Sequence, residues 1–262
     1  MRVMRLSPLS LTVLLTLAGC ANSRVSFSGE PKYGKTAADD LKAGEEEIKS
    51  HDFDLAVKFL DHVKNRYPFS KEAIVAELMA ADARFEQGHY LEAADAYANF
   101  AKLHPNHEKV DYAEFRCGYC YYKDAPGELF ILPPSYERDL KQLRQAVTKL
   151  EEFRTKRPTS SYLPEAEKAL AEARSRLADH DWYVANFYAK RKHWAGAAGR
   201  LEGLIKDYPG SHYETEALLT LAQVYIQMNE RFRAQQTLQQ LIVKHPDDSR
   251  RPEAEKLLAS IR

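Results

Sequence analysis

Two cysteines three residues apart, Cys117 and Cys120, form the pattern in this sequence that comes nearest to a reactive site. In an exported protein a CxxC pair is typical of thiol oxidoreductases, in which a helix N-terminus lowers the pKa of the attacking thiol. Here the pair lies well inside a helix predicted over residues 110–122, and Cys117 occupies an inward position of that helix. This placement predicts buried thiols. A strained disulfide between them is a second interpretation, and thiol oxidoreductase activity is a third.

The nine histidines are scattered singly, and His104 and His107 are the closest pair. Metal sites combine such side chains with carboxylates at a fixed spacing, and none stands at that spacing beside this pair. The sequence also lacks a phosphate-binding loop and the GxGxxG, GxSxG and HExxH motifs. We therefore predict turn residues at 104 and 107, no metal, no cofactor, no catalytic residue and no enzymatic activity.

Composition places the elements that carry these residues in a helical, globular protein. The chain has 262 residues, of which 44% are hydrophobic and 29% are charged. Its 38 basic residues equal its 38 acidic residues, so no basic surface for nucleic acid is indicated. With only 11 glycines and 12 prolines, the composition favours helix and argues against an all-β protein.

The first 20 residues have the order of a bacterial export signal. Arg2 and Arg5 give it a positive start, and residues 6–17 form an apolar stretch too short to span a bilayer. The sequence Leu-Ala-Gly-Cys at 17–20 follows and resembles the lipobox of bacterial lipoproteins, in which the cysteine receives lipid. We predict a signal peptide over residues 1–19 and lipidation of the cysteine. A plain signal peptide that contains a cysteine is the alternative.

The resemblance to lipoproteins also implies a destination. An aspartate directly after the lipidated cysteine is the usual inner-membrane retention signal, whereas Ala21 and Asn22 follow Cys20 here. We therefore predict a protein anchored by lipid in the outer membrane and facing the periplasm. Residues 20–35 contain Ser, Gly and Pro without an apolar period, and they predict a flexible tether.

An internal repeat determines the predicted fold. Five prolines, at 68, 105, 158, 209 and 246, each follow a polar or aromatic residue. Twelve residues before each proline stands an alanine, and large apolar residues stand eight and five residues before it. This spacing marks one face of a helix that ends before the proline. A small residue precedes the alanine on a partner helix in every unit: Gly44, Ala81, Gly118, Ala185 and Ala222.

The pattern resembles the tetratricopeptide repeat, whose unit is a helix pair of 34 residues. We predict an all-α, right-handed solenoid of five such pairs, closed by a capping helix over residues 251–262. Residues 36–158 form the N-terminal repeats 1–3, and residues 159–262 form the C-terminal repeats 4–5 with the capping helix. The third unit carries an insertion over 124–142, and the fourth begins with a long helix over 161–190.

Three features outside the repeat pattern favour contact with other molecules. The insertion holds four consecutive apolar residues at 129–132, which either fold back over the helices or form a docking patch. The helix that begins at Trp194 contains three glycines, each costing about 1 kcal/mol relative to alanine, which indicates a close approach there. Arg200 lies at the edge of the buried stripe without an acidic residue one turn away; an ion pair to a neighbouring repeat is the alternative.

Several stretches carry a resemblance to a known family. They are Asn65-Arg66-Tyr67-Pro68-Phe69, His104-Pro105, Val110-Asp111-Tyr112, Tyr136 to Asp139, and the run from Arg176 to Pro209 that includes Trp194 and Arg200-Leu201-Glu202-Gly203. With the lipobox and the five repeats, these stretches make the chain resemble the BamD (ComL) family, lipoproteins of the outer-membrane β-barrel assembly (Bam) machine. The likeness covers nearly the whole chain and is weakest in the tether, the insertion and the cysteines.

That resemblance implies a non-enzymatic scaffold that helps to recognise, fold and insert barrel proteins. The implied partners are a POTRA domain of BamA, the other Bam lipoproteins and unfolded outer-membrane barrel proteins, with membrane attachment through the lipid anchor and no nucleic acid. A periplasmic tetratricopeptide adaptor linked to peptidoglycan or envelope division is the alternative, because repeat architecture alone fits both functions.

The resemblance also points to two surfaces, for which we name candidate residues; it assigns Arg200 to the first, and it assigns no individual side chain to the second. In the family the C-terminal repeats dock BamA, and the candidate residues for that contact are Arg191, Arg200 and Glu202. The N-terminal repeats are associated with substrate recognition, for which an extended peptide with aromatic residues is a fitting ligand. The candidate groove residues there are Tyr67, Phe69, Tyr90 and Tyr97.

Overall fold

The structure, a computed structural model, describes residues 30–127 and 139–261, and these residues form eleven α-helices without a β-strand. The predicted signal peptide, Cys20, the apolar residues 129–132 and Tyr136 lie outside the described residues. In the described part of the chain, no helix is long and apolar enough to cross a membrane.

The helices form five consecutive pairs and a final single helix, as the repeat pattern predicts. Their bounds are α1 (Ala37–Lys49), α2 (Phe53–Arg66), α3 (Lys71–Glu86), α4 (Tyr90–Leu103), α5 (Val110–Asp124), α6 (Lys141–Lys156), α7 (Leu163–Lys190), α8 (Trp194–Asp207), α9 (Glu214–Gln227), α10 (Arg231–Lys244) and α11 (Arg251–Ser260). Each helix packs against the next one in the chain, so the pairs stack in sequence order and α11 covers α10. The all-α solenoid with a capping helix is confirmed.

The residues of the repeat pattern form the contact between the two helices of each pair. All five stripe alanines are fully buried, and so are the large residues that follow them by four positions: Leu60, Tyr97, Leu150, Leu201 and Leu238. In two units the small residue on the partner helix is a glycine. A methyl group at Gly44 would come within 2.9 Å of a Leu60 methyl carbon, and one at Gly118 within 2.9 Å of Leu150. A small residue is therefore needed at these positions, because the leucine of the paired helix occupies the space that a larger side chain would fill.

The odd-numbered helices form the inner layer of the stack. Helix α1 contacts α3 directly, and α5 contacts α7, across the boundaries between repeats. The even-numbered helices stand further apart and leave shallow grooves between α2 and α4, α4 and α6, and α8 and α10. In a stack of helix pairs, the more closely packed layer faces the concave side, where such proteins hold ligands.

Helix α7 joins the two sets of repeats. It has 28 residues and is about 42 Å long, with Pro164 in its first turn, where a missing amide is tolerated. Its first half packs against α5 and α6, and its second half packs against α8. Ala125 and Leu140, at the two ends of the insertion, are buried beside Leu177 of this helix. Both ends of the insertion are thus fixed to the core.

The segment before α1 differs from the predicted tether. Residues 33–35 lie on the first repeat, where the amide of Gly34 donates to a carboxylate oxygen of Asp40 at 2.6 Å. Thr36 then caps α1, and its hydroxyl and the Asp39 carboxylate each bind the other residue's backbone amide. A tether that extends to residue 35 is therefore wrong for its last three residues, because these bind the repeat.

Candidate protein-interaction surfaces

The two cysteines lie inside α5 and are both free and buried. Burial raises the pKa of the Cys117 thiol to about 11 and that of Cys120 to about 12. A redox pair needs the opposite shift, because the thiolate is the nucleophile. The predicted burial is confirmed, and the thiol oxidoreductase hypothesis has no support from this environment.

The histidine pair has partners of its own within the inter-repeat turn. The Nε2 atom of His104 lies 2.8 Å from Oε2 of Glu77 on α3, and Nδ1 of His107 accepts the Lys109 amide at 3.1 Å. The two rings are 6.5 Å apart. Over residues 30–127 and 139–261, no group of three metal-ligating side chains comes together. His104 joins the turn to the preceding helix pair.

One predicted groove residue, Tyr97, cannot contact a ligand. Its side chain is completely buried between α3, α4 and α5, and its hydroxyl donates to Oδ1 of Asp82. Tyr112 donates to the same oxygen at 2.6 Å, and Nε of Arg116 donates to the Tyr97 hydroxyl at 3.2 Å. Burial and the Asp82 carboxylate raise the pKa of both tyrosines. The assignment of Tyr97 to the groove is wrong, because it is the large residue of the second repeat's core.

The other three predicted groove residues do not form one surface. Tyr67 and Phe69 precede α3, whereas Tyr90 follows it, and α3 has 16 residues and is about 24 Å long. Tyr90 packs edge-on against Phe85, with ring centroids 5.1 Å apart, and the Tyr67 hydroxyl donates to the Lys35 carbonyl at 3.2 Å. Tyr67 and Phe69 are therefore separated from Tyr90 by the length of α3, and the predicted set divides into two separate places.

The inner layer instead carries a continuous row of rings, which we call the aromatic ladder. Its members share contacts between neighbouring rings at centroid distances of 5.3 to 6.1 Å. They are Phe85, Tyr112, Phe115, Tyr119, Tyr122 and Tyr162. The two phenylalanines are buried and the four tyrosines are half-buried. The ladder thus presents tyrosine edges to solvent on a rigid apolar base, an arrangement that accepts both apolar and hydrogen-bonding ligands.

Charged side chains pack against the rings of the aromatic ladder and lie beside its tyrosines. The Arg116 guanidinium lies 3.7 Å above the Phe85 ring. Next to Phe85 in the ladder, Tyr119 lines a pocket of about 170 Å³ together with Tyr122 and with Lys168 and Glu172 of α7. Burial and the hydrogen bond to Glu172 raise the pKa of Tyr122 to about 12. This pocket lies between the inner helices α5 and α7.

Tyr119 and Tyr122 were not predicted as site residues, although the sequence contains a signal for them. They follow the small residue Gly118 by one and four positions. In the second repeat, Asp82 and Phe85 stand at the same distances from Ala81 and face the same layer. The register that identified the core therefore also identifies the inner face.

In the C-terminal repeats, Arg200 is half exposed on α8. Its Nη1 lies 3.3 Å from Oδ1 of Asp181 on α7, whose carboxylate is largely buried. The pKa of Asp181 is raised by burial, against the opposing effect of the Arg200 charge. The alternative interpretation of Arg200 anticipated an ion pair, but the partner belongs to its own repeat. A single long hydrogen bond leaves most of the guanidinium donors directed at solvent.

The other two predicted docking residues have internal partners. The Arg191 guanidinium lies 3.7 Å above the ring of Phe187, which is 41% exposed. Glu202 accepts hydrogen bonds from the Tyr225 hydroxyl and from Arg233, the latter at 2.7 Å. Glu202 therefore holds the fifth repeat on the fourth, and Arg191 lies at an exposed aromatic side chain. Their contact with a partner protein stays a prediction.

Two glycines of α8 have no role in the packing of this chain. A methyl group added at Gly199 or Gly203 would meet no atom within 4 Å, whereas one at Gly196 would approach Tyr188 at 3.2 Å. Glycine inside a helix is destabilising by about 1 kcal/mol relative to alanine. Gly199 and Gly203 lie one turn apart beside Arg200, so this face of α8 is open to a close-fitting partner.

These surfaces were compared with known proteins. Residues 35–241 match the family described as YfiO, outer membrane lipoprotein. The chain belongs to the YfiO family. The match covers all five helix pairs except the last residues of α10, so the family resemblance seen in the sequence is confirmed for the repeats.

Relatives of this YfiO-family chain include two curated outer membrane protein assembly factors named BamD. The one from Neisseria gonorrhoeae is 26% identical over 225 residues, which are 85% of this chain and 84% of the relative. The one from Haemophilus influenzae is 24% identical over 223 residues, 83% of this chain and 82% of the relative. Among solved structures, the YfiO-family chain is similar to the TPR2AB domain of yeast Sti1, with a TM-score of 0.38, 18% identity and coverage of 86% and 82%.

Proposed function

We propose that the protein is a non-enzymatic scaffold of the outer-membrane β-barrel assembly complex. It docks BamA through its C-terminal repeats, binds unfolded barrel proteins through its N-terminal repeats and works beside the other Bam lipoproteins. The observation that carries this proposal is the likeness to BamD relatives over more than four fifths of both chains. The alternative, an adaptor for peptidoglycan or envelope division, has no residue in its favour.

We also propose that Cys20 carries the lipid anchor that places the protein at the periplasmic face of the outer membrane. The lipobox-like sequence before Cys20 supports this assignment. Two or more acyl chains give a stable anchor, whereas one is marginal. Incorporation of radiolabelled palmitate tests it: the protein is expected to be labelled, and the Cys20→Ala variant is expected to remain unlabelled.

The docking surface for BamA is proposed to be the exposed face of α8. Gly199 and Gly203 allow a partner backbone to approach closely, and Arg200 between them offers free donors. A guanidinium prefers a carboxylate as its partner. We therefore expect an acidic side chain of the POTRA domain to meet Arg200, which Asp181 only partly neutralises.

The substrate surface is proposed to be the open edge of the aromatic ladder rather than the four residues predicted from the sequence. Tyr119 and Tyr122 present rings and hydroxyls beside Lys168 and Glu172. An extended, unfolded segment of a barrel protein offers aromatic side chains and unpaired backbone groups, which match these rings and polar groups.

The docking proposal is tested by reversing the charge at position 200 without leaving two facing carboxylates. The double variant Arg200→Glu/Asp181→Asn is expected to recover roughly tenfold less BamA from detergent-solubilised outer membranes. Arg154→Glu is the matched control, because Arg154 is an exposed arginine of α6 in the N-terminal repeats. Equal recovery with both variants, at unchanged melting temperatures, would overturn the assignment of this face.

The substrate proposal is tested with a fluorescent peptide from the C-terminal strand of a barrel protein. Tyr122→Ser is expected to weaken binding of the peptide by about tenfold, since the aromatic ring that stacks on the peptide is lost. Tyr183→Ser on α7 is the control, because Tyr183 is 39% exposed and lies outside the ladder. If both variants bind like the unaltered protein, the ladder is not the substrate surface.

A further inference from the structure

The end of the N-terminal segment is fixed at one place on the first repeat. The ring of Tyr33 stacks on His62 of α2, with centroids 3.8 Å apart, and meets Phe59 edge-on at 5.7 Å. The carbonyl of Lys35 accepts the Tyr67 hydroxyl at 3.2 Å. The chain therefore leaves the repeats beside the turn that joins α2 to α3.

This turn carries the most exposed large apolar side chain among residues 30–127 and 139–261. Phe69 is 102% exposed, so no other side chain covers it. Leu103, the last residue of α4 before the neighbouring inter-repeat turn, is 64% exposed. Both turns follow an even-numbered helix and so lie on the same edge of the stack.

Basic side chains surround this aromatic residue. Four exposed lysines and arginines stand within a few residues of Phe69 or of the segment fixed beside it: Lys32, Lys35, Arg66 and Lys71. None of them forms an ion pair with a carboxylate of the described residues. Of the acidic residues nearby, Glu30 is exposed, Asp39 accepts the Thr36 amide, and Glu72 is half-buried in the first turn of α3. At the next inter-repeat turn, Lys102 and Lys109 are exposed, with Glu108 beside them.

The chain length limits how far this edge can be from the anchor. Tyr33 stands thirteen residues after Cys20, a stretch that spans at most about 45 Å when fully extended. Along the chain, repeat 1 is therefore the nearest repeat to the membrane. The fixed exit of the segment directs the anchor toward the turn that holds Phe69.

We infer that the turn between α2 and α3 is a membrane-contact site, at which Phe69 inserts into the phospholipid leaflet facing the periplasm. Lys35, Arg66 and Lys71 bind the phosphate groups around it. The inference rests on the lipid anchor at Cys20 in the proposed function. An aromatic side chain ringed by cations is typical of interfacial membrane contacts, and such a second contact strengthens and orients an acyl anchor.

A lipid surface fits this turn better than a peptide does. Phe69 is fully exposed on the turn, whereas a bound peptide needs walls that cover its side chains. The opposite edge of the first two repeats is acidic, with Asp52, Asp54, Glu86 and Glu92 near the turns within each pair. Anionic phospholipid therefore attracts one edge and repels the other, which sets the orientation of the stack on the membrane.

The test uses the full lipidated protein incorporated into vesicles of phosphatidylethanolamine and phosphatidylglycerol. A polarity-sensitive fluorophore is attached at Phe69→Cys or at Phe232→Cys; Phe232 is the matched control because it is 70% exposed on α10. Cys117 and Cys120 are buried and do not compete for the label. With brominated phospholipid, the label at 69 is expected to lose roughly half its emission, and the label at 232 almost none.

Each outcome decides a separate point. Adding Arg66→Glu and Lys71→Glu is expected to reduce the quenching at 69, as is replacing phosphatidylglycerol with phosphatidylcholine. Incorporated protein with no quenching at 69 would overturn the membrane contact while leaving the anchor intact. Protein that never incorporates would instead contradict the anchor. Emission at 69 that responds to a barrel-derived peptide but not to lipid would return Phe69 to the substrate surface and overturn the inference.

Discussion

The N-terminal and C-terminal repeats share one packing register but carry different surfaces. The aromatic ladder lies on the inner layer from repeat 2 to the start of repeat 4, and the edge at the turn between repeats 1 and 2 carries exposed basic side chains. In repeat 4 the exposed helix α8 is smooth, with Gly199, Arg200 and Gly203 on its surface. The register thus determines the fold, and the residues outside it distinguish the substrate surface from the docking surface.

The glycines of the two regions also differ in their surroundings. Gly118 in the N-terminal repeats is required, because Leu150 occupies the space of a side chain. Gly199 and Gly203 in the C-terminal repeats are surrounded by open space. Replacing a glycine that the packing requires should destabilise the protein, whereas replacing an exposed helical glycine with alanine should stabilise it. Only the exposed glycines indicate contact with a partner protein.

The largest expected effect tests what the two regions share. Ala93→Arg and Ala197→Arg each place a charged side chain at a fully buried contact between paired helices. Both variants are expected to lose more than about 4 kcal/mol of folding free energy, through overpacking and an unpaired buried charge. Circular dichroism during thermal unfolding measures this loss. A fully helical variant with an unchanged melting temperature would contradict the shared register.

The next effect separates the two kinds of glycine. Gly118→Val is expected to destabilise the protein by about 1–3 kcal/mol, because the new side chain meets Leu150 and helix α6 must shift. Denaturant unfolding gives the free energy. Gly44→Val, at the equivalent position of repeat 1 beneath Leu60, is expected to behave in the same way.

The exposed glycines are expected to respond in the opposite direction. Gly199→Ala and Gly203→Ala should each stabilise the isolated protein by about 1 kcal/mol, since alanine favours helix and has room there. The same variants should recover less BamA, because the added methyl groups hold the partner away. A gain in stability without loss of BamA would show that these glycines serve another purpose.

The smallest effect concerns the thiols of the N-terminal repeats. Folding raises the pKa of Cys117 to about 11 and of Cys120 to about 12, from an ordinary value of 9.0. The folded state therefore holds the thiol protons more tightly than the unfolded state does. The free energy of unfolding is at its full value below pH 9 and falls as the pH rises toward the folded pKa values. At pH 10 the loss should be about 1 kcal/mol for each thiol. The variant Cys117→Ala/Cys120→Ala should lose less between pH 8 and pH 10.

Much of the fold could be predicted because the same residue spacing occurs five times in the chain, so each copy checks the others. The helix pairs and their buried stripes follow from five copies of one spacing, and no single position decides the interpretation. Short local motifs predicted the ends of helices less reliably than the repeat spacing predicted the helix pairs. The S-x-x-E pattern of Ser211 and Glu214 predicts a capping box, yet α9 begins after Tyr213 and the Glu214 carboxylate accepts the Gly210 amide at 2.6 Å. The tight turn after the proline moves the start of that helix.

The surfaces were harder to predict than the core. Tyr97 was a candidate groove residue, but its place in the stripe makes it a core residue. Glu202 and Arg200 stand two residues apart, and only the structure shows that one joins two repeats while the other remains half exposed. Which charged side chains remain unpaired depends on ion pairs between different helices. The spacing of residues along the sequence does not show these ion pairs.

The most direct measurement places a photo-crosslinking amino acid at Arg200 of the anchored protein and solubilises the outer membrane after illumination. A covalent adduct with BamA is predicted, whereas the same probe at Arg154 should give none. An adduct at position 200 with a peptidoglycan or division protein, and none with BamA, would contradict the proposed function while leaving the fold in place.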